Sequence, residues 1–115
     1  MDAICDYKLK CIDLAYKYVK PEVIHMHDDW GMNNNMFMDP DLWREFIRPN
    51  EERYTKHIHE LGMIYMHHSC GYIKQIIPDL IEIGIDVWEP VMIENDVPEL
   101  LEKYGITPNG DAALK

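Results

Sequence analysis

Apolar residues in this chain fall into two spacings that alternate along its length. Residues 2–19 carry Ile4, Leu9, Ile12, Ala15, Tyr16 and Val19 at mostly helical spacing. Pro21 ends that helix, and Val23-Ile24-His25-Met26 reads as a short strand within 22–27. Gly31 and Asn33-Asn34-Asn35 form a loop. Asp39 suits an N-cap with Pro40 at the first helical position, and Leu42, Trp43, Phe46 and Ile47 follow at helical spacing. Pro49 is expected to kink or interrupt this helix, with a helical pattern resuming from Glu51 to Leu61 and stopping at Gly62. A strand over 63–68 comes next. A helix over about 72–83 carries Ile73, Ile76, Ile77, Leu80 and Ile81, with Pro78 as a kink and Gly84 as C-cap. A strand over 85–89 ends at Pro90. A short helix over about 96–104 is closed by Gly105, and Ile106-Thr107 reads as a last strand.

Helices and strands thus alternate, which predicts an α/β fold with a parallel sheet and helical crossovers. Two closures fit: a small doubly wound sandwich, or an arc of a (β/α)8 TIM barrel, which needs roughly 250 residues in full. Either one places ligands at the C-terminal ends of the strands. The chemically unusual residues gather there: His27-Asp28-Asp29, His67-His68-Ser69-Cys70 and Glu89.

Composition narrows the functional classes. A chain of 115 residues, 47% hydrophobic, makes one small globular domain over 1–115. A net charge of −10, from 11 basic and 21 acidic residues, argues against nucleic-acid or anionic-membrane partners. No apolar run approaches the ~20 residues of a membrane span. The acidic start, Met1-Asp2-Ala3-Ile4-Cys5-Asp6, lacks the order of a signal peptide. Three irregularly spaced cysteines make no disulfide framework, so a reducing cytoplasm is the expected setting.

The sharpest chemical signal is His68-Ser69-Cys70-Gly71, which closes the apolar run Met63-Ile64-Tyr65-Met66. Residues two apart on a strand share a face, so His68 and Cys70 project together and offer one nitrogen and one sulfur, a donor pair suited to zinc. The competing reading is a buried histidine beside a packed thiol. Alternation also puts His25, His27 and Asp29 on one face, with Asp28 on the other beside Ile24 and Met26. Asp28 and Asp29 each suit a general base, a metal ligand or a partner that orients histidine. They equally suit caps on loop amides. Glu89 sits where it could approach His68 from the adjacent strand, or stand as a solvated loop acid. His67 points away from His68 and packs or supports. His57 and His59 read as surface groups, Cys5 and Cys11 as packing residues, and the eight methionines as core or loop filler. No Gly-rich phosphate loop or serine-nucleophile motif is present.

Several runs together resemble the uroporphyrinogen decarboxylase-like superfamily. They are His27-Asp28-Asp29-Trp30-Gly31; Pro40, Trp43-Arg44-Glu45-Phe46-Ile47 and Pro49; His68-Ser69-Cys70-Gly71; Ile77-Pro78-Asp79-Leu80; and Gly84-Ile85-Asp86. The likeness runs from about residue 7 to 105. His-x-Cys-Gly after a strand is similar to the cobamide-dependent methyltransferase branch, which carries zinc on a His-x-Cys pair plus a distant cysteine. The resemblance implies that His68 and Cys70 are two of three protein zinc ligands. It also implies a methyl transfer between a corrinoid, carried on a partner protein or as methylcobamide, and a small thiol or related acceptor. Asp28, Asp29 and Glu89 are the expected catalytic residues. A metal-free porphyrinogen decarboxylase, with Asp28 or Asp29 on the pyrrole NH groups, and a catalytically inactive binding or assembly module are the alternatives.

The chain departs from that family in length. It spans about three and a half βα units of the barrel, no cysteine follows Cys70, and Asn109-Gly110-Asp111 only weakly echoes the Gly-Gly-x-Asp-like strand end of the family. The expectation is therefore a fragment, a split gene product or a truncated frame, with free sheet edges and an uncovered apolar face that favour self-association or a complementary fragment.

Overall fold

The computed structural model describes residues 2–104. The expected strand Ile106-Thr107 and the Asn109-Gly110-Asp111 run lie outside the described residues. In chain order the elements are α1 (Asp2–Tyr18), β1 (Val23–His27), α2 (Pro40–Phe46), α3 (Arg48–Glu60), β2 (Ile64–His68), α4 (Ile77–Ile83), β3 (Val87–Glu89) and α5 (Val97–Tyr104). The strands form one parallel sheet in the order β1-β2-β3. The chain is therefore α/β, with helical crossovers between neighbouring parallel strands. No helix of the described residues is long and apolar enough to cross a membrane.

Local chemistry accounts for most boundaries. The Asp39 side chain accepts the Asp41 N–H at 2.8 Å, capping α2 ahead of Pro40. Gly62 and Gly84 take positive φ (78° and 93°), which ends α3 and α4 in turns that a Cβ would strain. The interruption expected at Pro49 is present, between α2 and α3, whereas the kink expected at Pro78 is not. Pro49 and Pro78 sit in the first turns of α3 and α4, where a missing N–H costs no helical hydrogen bond. Each therefore starts a helix instead of kinking one. The helix expected over 72–83 is split into a 3₁₀ turn, Lys74–Ile76, and α4. The strand expected over 85–89 is shortened to β3, because Ile85 is taken wholly into the core and the Asp86 carboxylate accepts the Tyr65 N–H at 2.8 Å.

One face of the sheet buries Tyr65, His67 and Trp88 against a core that includes Trp43, Ile58, Ile76 and Leu80. Full burial of side chains this large contributes about 1.5–3 kcal/mol each. Asp79 of α4, nearly buried, accepts hydrogen bonds from Arg44 of α2 and from Arg48 of α3 (2.6 Å to the Arg48 Nη1), and so ties three helices together. The other face of the sheet carries Val23 and Ile64, which remain 38% and 45% exposed. That face also carries the polar cluster at the strand ends.

Candidate metal centre

Register brings the site together. His27 of β1 is paired with His68 of β2, and His68 with Glu89 of β3. Parallel strands in step put these side chains in one row on the exposed face, at the C-terminal ends. His25 joins them from one pleat below. The His27 and His68 rings stack at 4.6 Å between centroids, and those of His25 and His27 lie 4.3 Å apart. The ladder continues past the strands, with Asp28 N–H donating to the His68 carbonyl and Ser69 N–H to that of Glu89.

The two nitrogens of His68 face different chemistry. Nδ1 lies 2.8 Å from Glu89 Oε1, which also lies 2.8 Å from His25 Nε2. Nε2 lies 3.2 Å from Cys70 Sγ and 3.5 Å from Asp29 Oδ1. An ionised Glu89 accepts the Nδ1–H, and that tautomer leaves the Nε2 lone pair aimed at Cys70 and Asp29. The hydrogen bonds from His68 and then His25 hold the Glu89 carboxyl below the usual carboxylate range. Desolvation, followed by the charges of Asp29 and Glu89, pushes the Cys70 thiol above its ordinary value. Two carboxylates beside a thiol oppose the thiolate unless a cation enters among them.

A nitrogen, a sulfur and a carboxylate oxygen thus converge, all within 4.8 Å of one another. Around a tetrahedral zinc ion, with bonds of about 2.0–2.3 Å, neighbouring donors sit roughly 3.3–3.6 Å apart. The observed separations fit that ion with little movement. His25, His68 and Glu89 form a second cluster with the same spread.

The two adjacent aspartates diverge. Asp29 accepts the Cys70 N–H at 2.9 Å and belongs to the cluster. Asp28 turns to the helical side and pairs with Lys8 of α1 at 2.8 Å. A cleft of about 270 Å³ lies between them, lined by Lys8, Asp28, Asp29, Trp30, Glu51 and Tyr54 among others.

Backbone approach holds the loops over the site. Gly31 and Gly71 pass so closely that a Cβ on Gly31 would meet the Cys70 carbonyl at 2.6 Å. Gly71 also takes a φ of 79°. Trp30 N–H donates to Ser69 Oγ, and Trp88 Nε1–H to the Ser69 carbonyl. Buried Asn95 accepts the Ile73 N–H and donates to the carbonyls of Gly71 and Met92, which fixes the turn after Cys70.

Behind the site lies a buried polar chain. Tyr65 Oη is 2.6 Å from Glu51 Oε2 and 3.0 Å from His67 Nδ1. His67 Nε2 is 3.1 Å from the Asp28 carbonyl, and its ring stacks on Trp30 at 4.0 Å. Burial lowers the His67 pKa to about 4 and raises that of Glu51 to about 7. Tyr65 O–H donates to Glu51 Oε2, and a neutral His67 donates Nε2–H to the Asp28 carbonyl.

The structure brings His68, Cys70, Asp29 and Glu89 together, whereas Asp28 does not join them. His67 supports from behind, as its strand parity predicts. His59 and His57 are tied to Asp86 and Asp13 at the periphery. Cys5 is buried, but Cys11 is exposed and so is not a packing residue. Sequence reasoning missed Glu51 and Asn95, which carry no motif, and gave Ser69 no role inside His68-Ser69-Cys70-Gly71. It noted His25 only as sharing a face with His27. Compared with protein-family models, curated proteins and solved structures, the chain has no significant match.

Proposed function

We propose that the chain carries a zinc centre held by His68 Nε2, Cys70 Sγ and Asp29, and that this centre serves methyl transfer from a corrinoid to a thiol or related acceptor. One observation carries the metal assignment: His68 Nε2 lies 3.2 Å from Cys70 Sγ and 3.5 Å from Asp29 Oδ1, on a rim whose own charges call for a cation. The reaction rests on the resemblance of His68-Ser69-Cys70-Gly71 and its companion motifs to the uroporphyrinogen decarboxylase-like superfamily. The strand order β1-β2-β3 supports a barrel arc, since a doubly wound sheet reverses its order at a switch point.

Zinc, when bound, supplies a Lewis acid that lowers the pKa of a thiol. The chain's residues do the rest. Glu89, steadied by His25, fixes the His68 tautomer, and Asp29 anchors the Cys70 backbone. The acceptor loses its S–H proton to solvent or to a rim carboxylate. A methylated corrinoid, when bound, would supply the methyl group that this sulfur takes up. A corrinoid protein or free methylcobamide would approach the exposed face of the sheet.

The test is metal analysis after zinc loading and gel filtration. About one zinc per chain is expected at the single site, with loss in His68→Ala and in Cys70→Ala, and a roughly 10- to 100-fold weaker affinity in Glu89→Gln. Cobalt(II) substitution should give a thiolate charge-transfer band that Cys70→Ser removes. A wild-type protein that retains no zinc, or variants that retain all of it, would sink the proposal.

A further inference from the structure

The zinc centre uses His68 through one nitrogen. Its Nε2 faces Cys70 and Asp29, while its Nδ1 faces a separate set of donors, Glu89 and His25. One donor atom each from His25, His68 and Glu89 lie within 4.8 Å of one another. Parallel register builds this set. Glu89 stands beside His68 across the β2–β3 ladder, and His25 reaches them from one pleat below on β1. His27 stacks on the His68 ring at 4.6 Å between centroids and 15° between planes. That stacking fixes the plane of the imidazole and keeps its two nitrogens aimed at the two sets.

Two imidazole nitrogens and a carboxylate oxygen suit a divalent transition ion. Glu89 Oε1 lies 2.8 Å from each ring nitrogen, a hydrogen-bond distance. A bound ion would open these separations to roughly 3.3 Å. The side chains of His25 and Glu89 are 37% and 39% exposed, so both have room for that shift. Among the described residues, the ion-pair partners of Glu89 are His25 and His68, with no lysine or arginine holding the carboxylate. We propose that His25 Nε2, Glu89 and His68 Nδ1 bind a second divalent metal ion. The Nδ1 proton passes to solvent as the nitrogen–metal bond forms, and Glu89 exchanges that N–H for the ion. When both sites are filled, His68 bridges them as an imidazolate. Cys70, Asp29, Glu89 and the imidazolate then carry as many negative charges as two divalent ions carry positive. The bridge rests on the Cys70 centre proposed above, whereas the second donor set stands without it.

The test is calorimetric zinc titration at equilibrium, because a half-exposed site without a thiolate releases its ion on gel filtration. The wild type should bind about two zinc ions per chain, the second roughly tenfold or more weaker than the first. His25→Ala should lose the weaker ion and keep the thiolate charge-transfer band of its cobalt(II) form. Cys70→Ser should lose the tighter ion and still bind cobalt(II) without that band. The double variant Cys70→Ser, His25→Ala should bind neither, and so should His68→Ala. Circular dichroism of each variant checks the fold. A wild type that saturates with a single ion, removed by Cys70→Ser and kept by His25→Ala, would overturn the second site and spare the first centre. A single ion removed by His25→Ala and kept by Cys70→Ser would overturn the first centre and support the second donor set.

Discussion

Glu51 shows how far burial can separate a residue from its sequence label. It stands in a charged run, Asn50-Glu51-Glu52-Arg53, yet is 1% exposed and bonded to Tyr65. Its pKa is raised from the ordinary carboxyl value to about 7, so the folded state holds the proton more tightly than the unfolded chain. The stability this gives is full below the ordinary carboxyl value and is lost as pH rises toward 7. His67, lowered to about 4, acts in the opposite sense and loses stability as pH falls below the ordinary imidazole value. Glu51→Gln keeps a carbonyl acceptor for Tyr65 O–H and removes the alkaline loss. The variant should match the wild type in urea unfolding near pH 4 and exceed it by roughly 3 kcal/mol near pH 8. A difference that does not change with pH would show that Glu51 ionises freely. Neither behaviour is legible in the residue's neighbours along the chain, because desolvation is a property of what packs over it.

At the scale of elements, helix starts and stops were legible wherever a residue acts through its own backbone. Asp39, Pro40, Gly62 and Gly84 work within one turn, so their chemistry is local. Pro78 was misread as a kink because a proline inside an apolar pattern looks alike whether it breaks a helix or begins one. The rim loops lie at the opposite extreme. Gly31 and Gly71 are forty residues apart in sequence, yet each excludes a Cβ from the other. Gly31→Ala would set a methyl group 2.6 Å from the Cys70 carbonyl, with only backbone to give way. Thermal denaturation should show a loss of about 1–3 kcal/mol, and zinc affinity should fall as the Cys70 loop shifts. Unchanged stability and affinity would mean that the two loops separate at no cost.

Among the described residues the sheet is covered on one face, with β1 and β3 as edges and Val23 and Ile64 exposed on the other. Free strand edges beside exposed apolar side chains favour pairing with other chains. Analytical ultracentrifugation at ~10 μM, near where interactions of ~7 kcal/mol become half-populated, should show association that increases with salt, as screening offsets a net charge of −10. Ile64→Lys should weaken it, and Leu14→Asp should not. A monomer at every salt concentration, with a cooperative melt, would count against an open sheet face in solution.

The sequence alone determined the alternation of helices and strands, the caps, and the strand-end placement of His68 and Cys70. All of these follow from periodicity and short-range backbone chemistry. Tertiary structure alone decided which acids meet His68 and Cys70. Strand register placed Glu89 beside His68, and the close passage of Gly31 past Gly71 accompanies the turn that brings Asp29 to Cys70 while Asp28 faces Lys8. It also decided that Glu51 and His67 share one buried hydrogen-bonded chain and that half the apolar surface pattern of α1 faces outward. Those outcomes depend on residues distant in sequence arriving side by side, which no local pattern encodes.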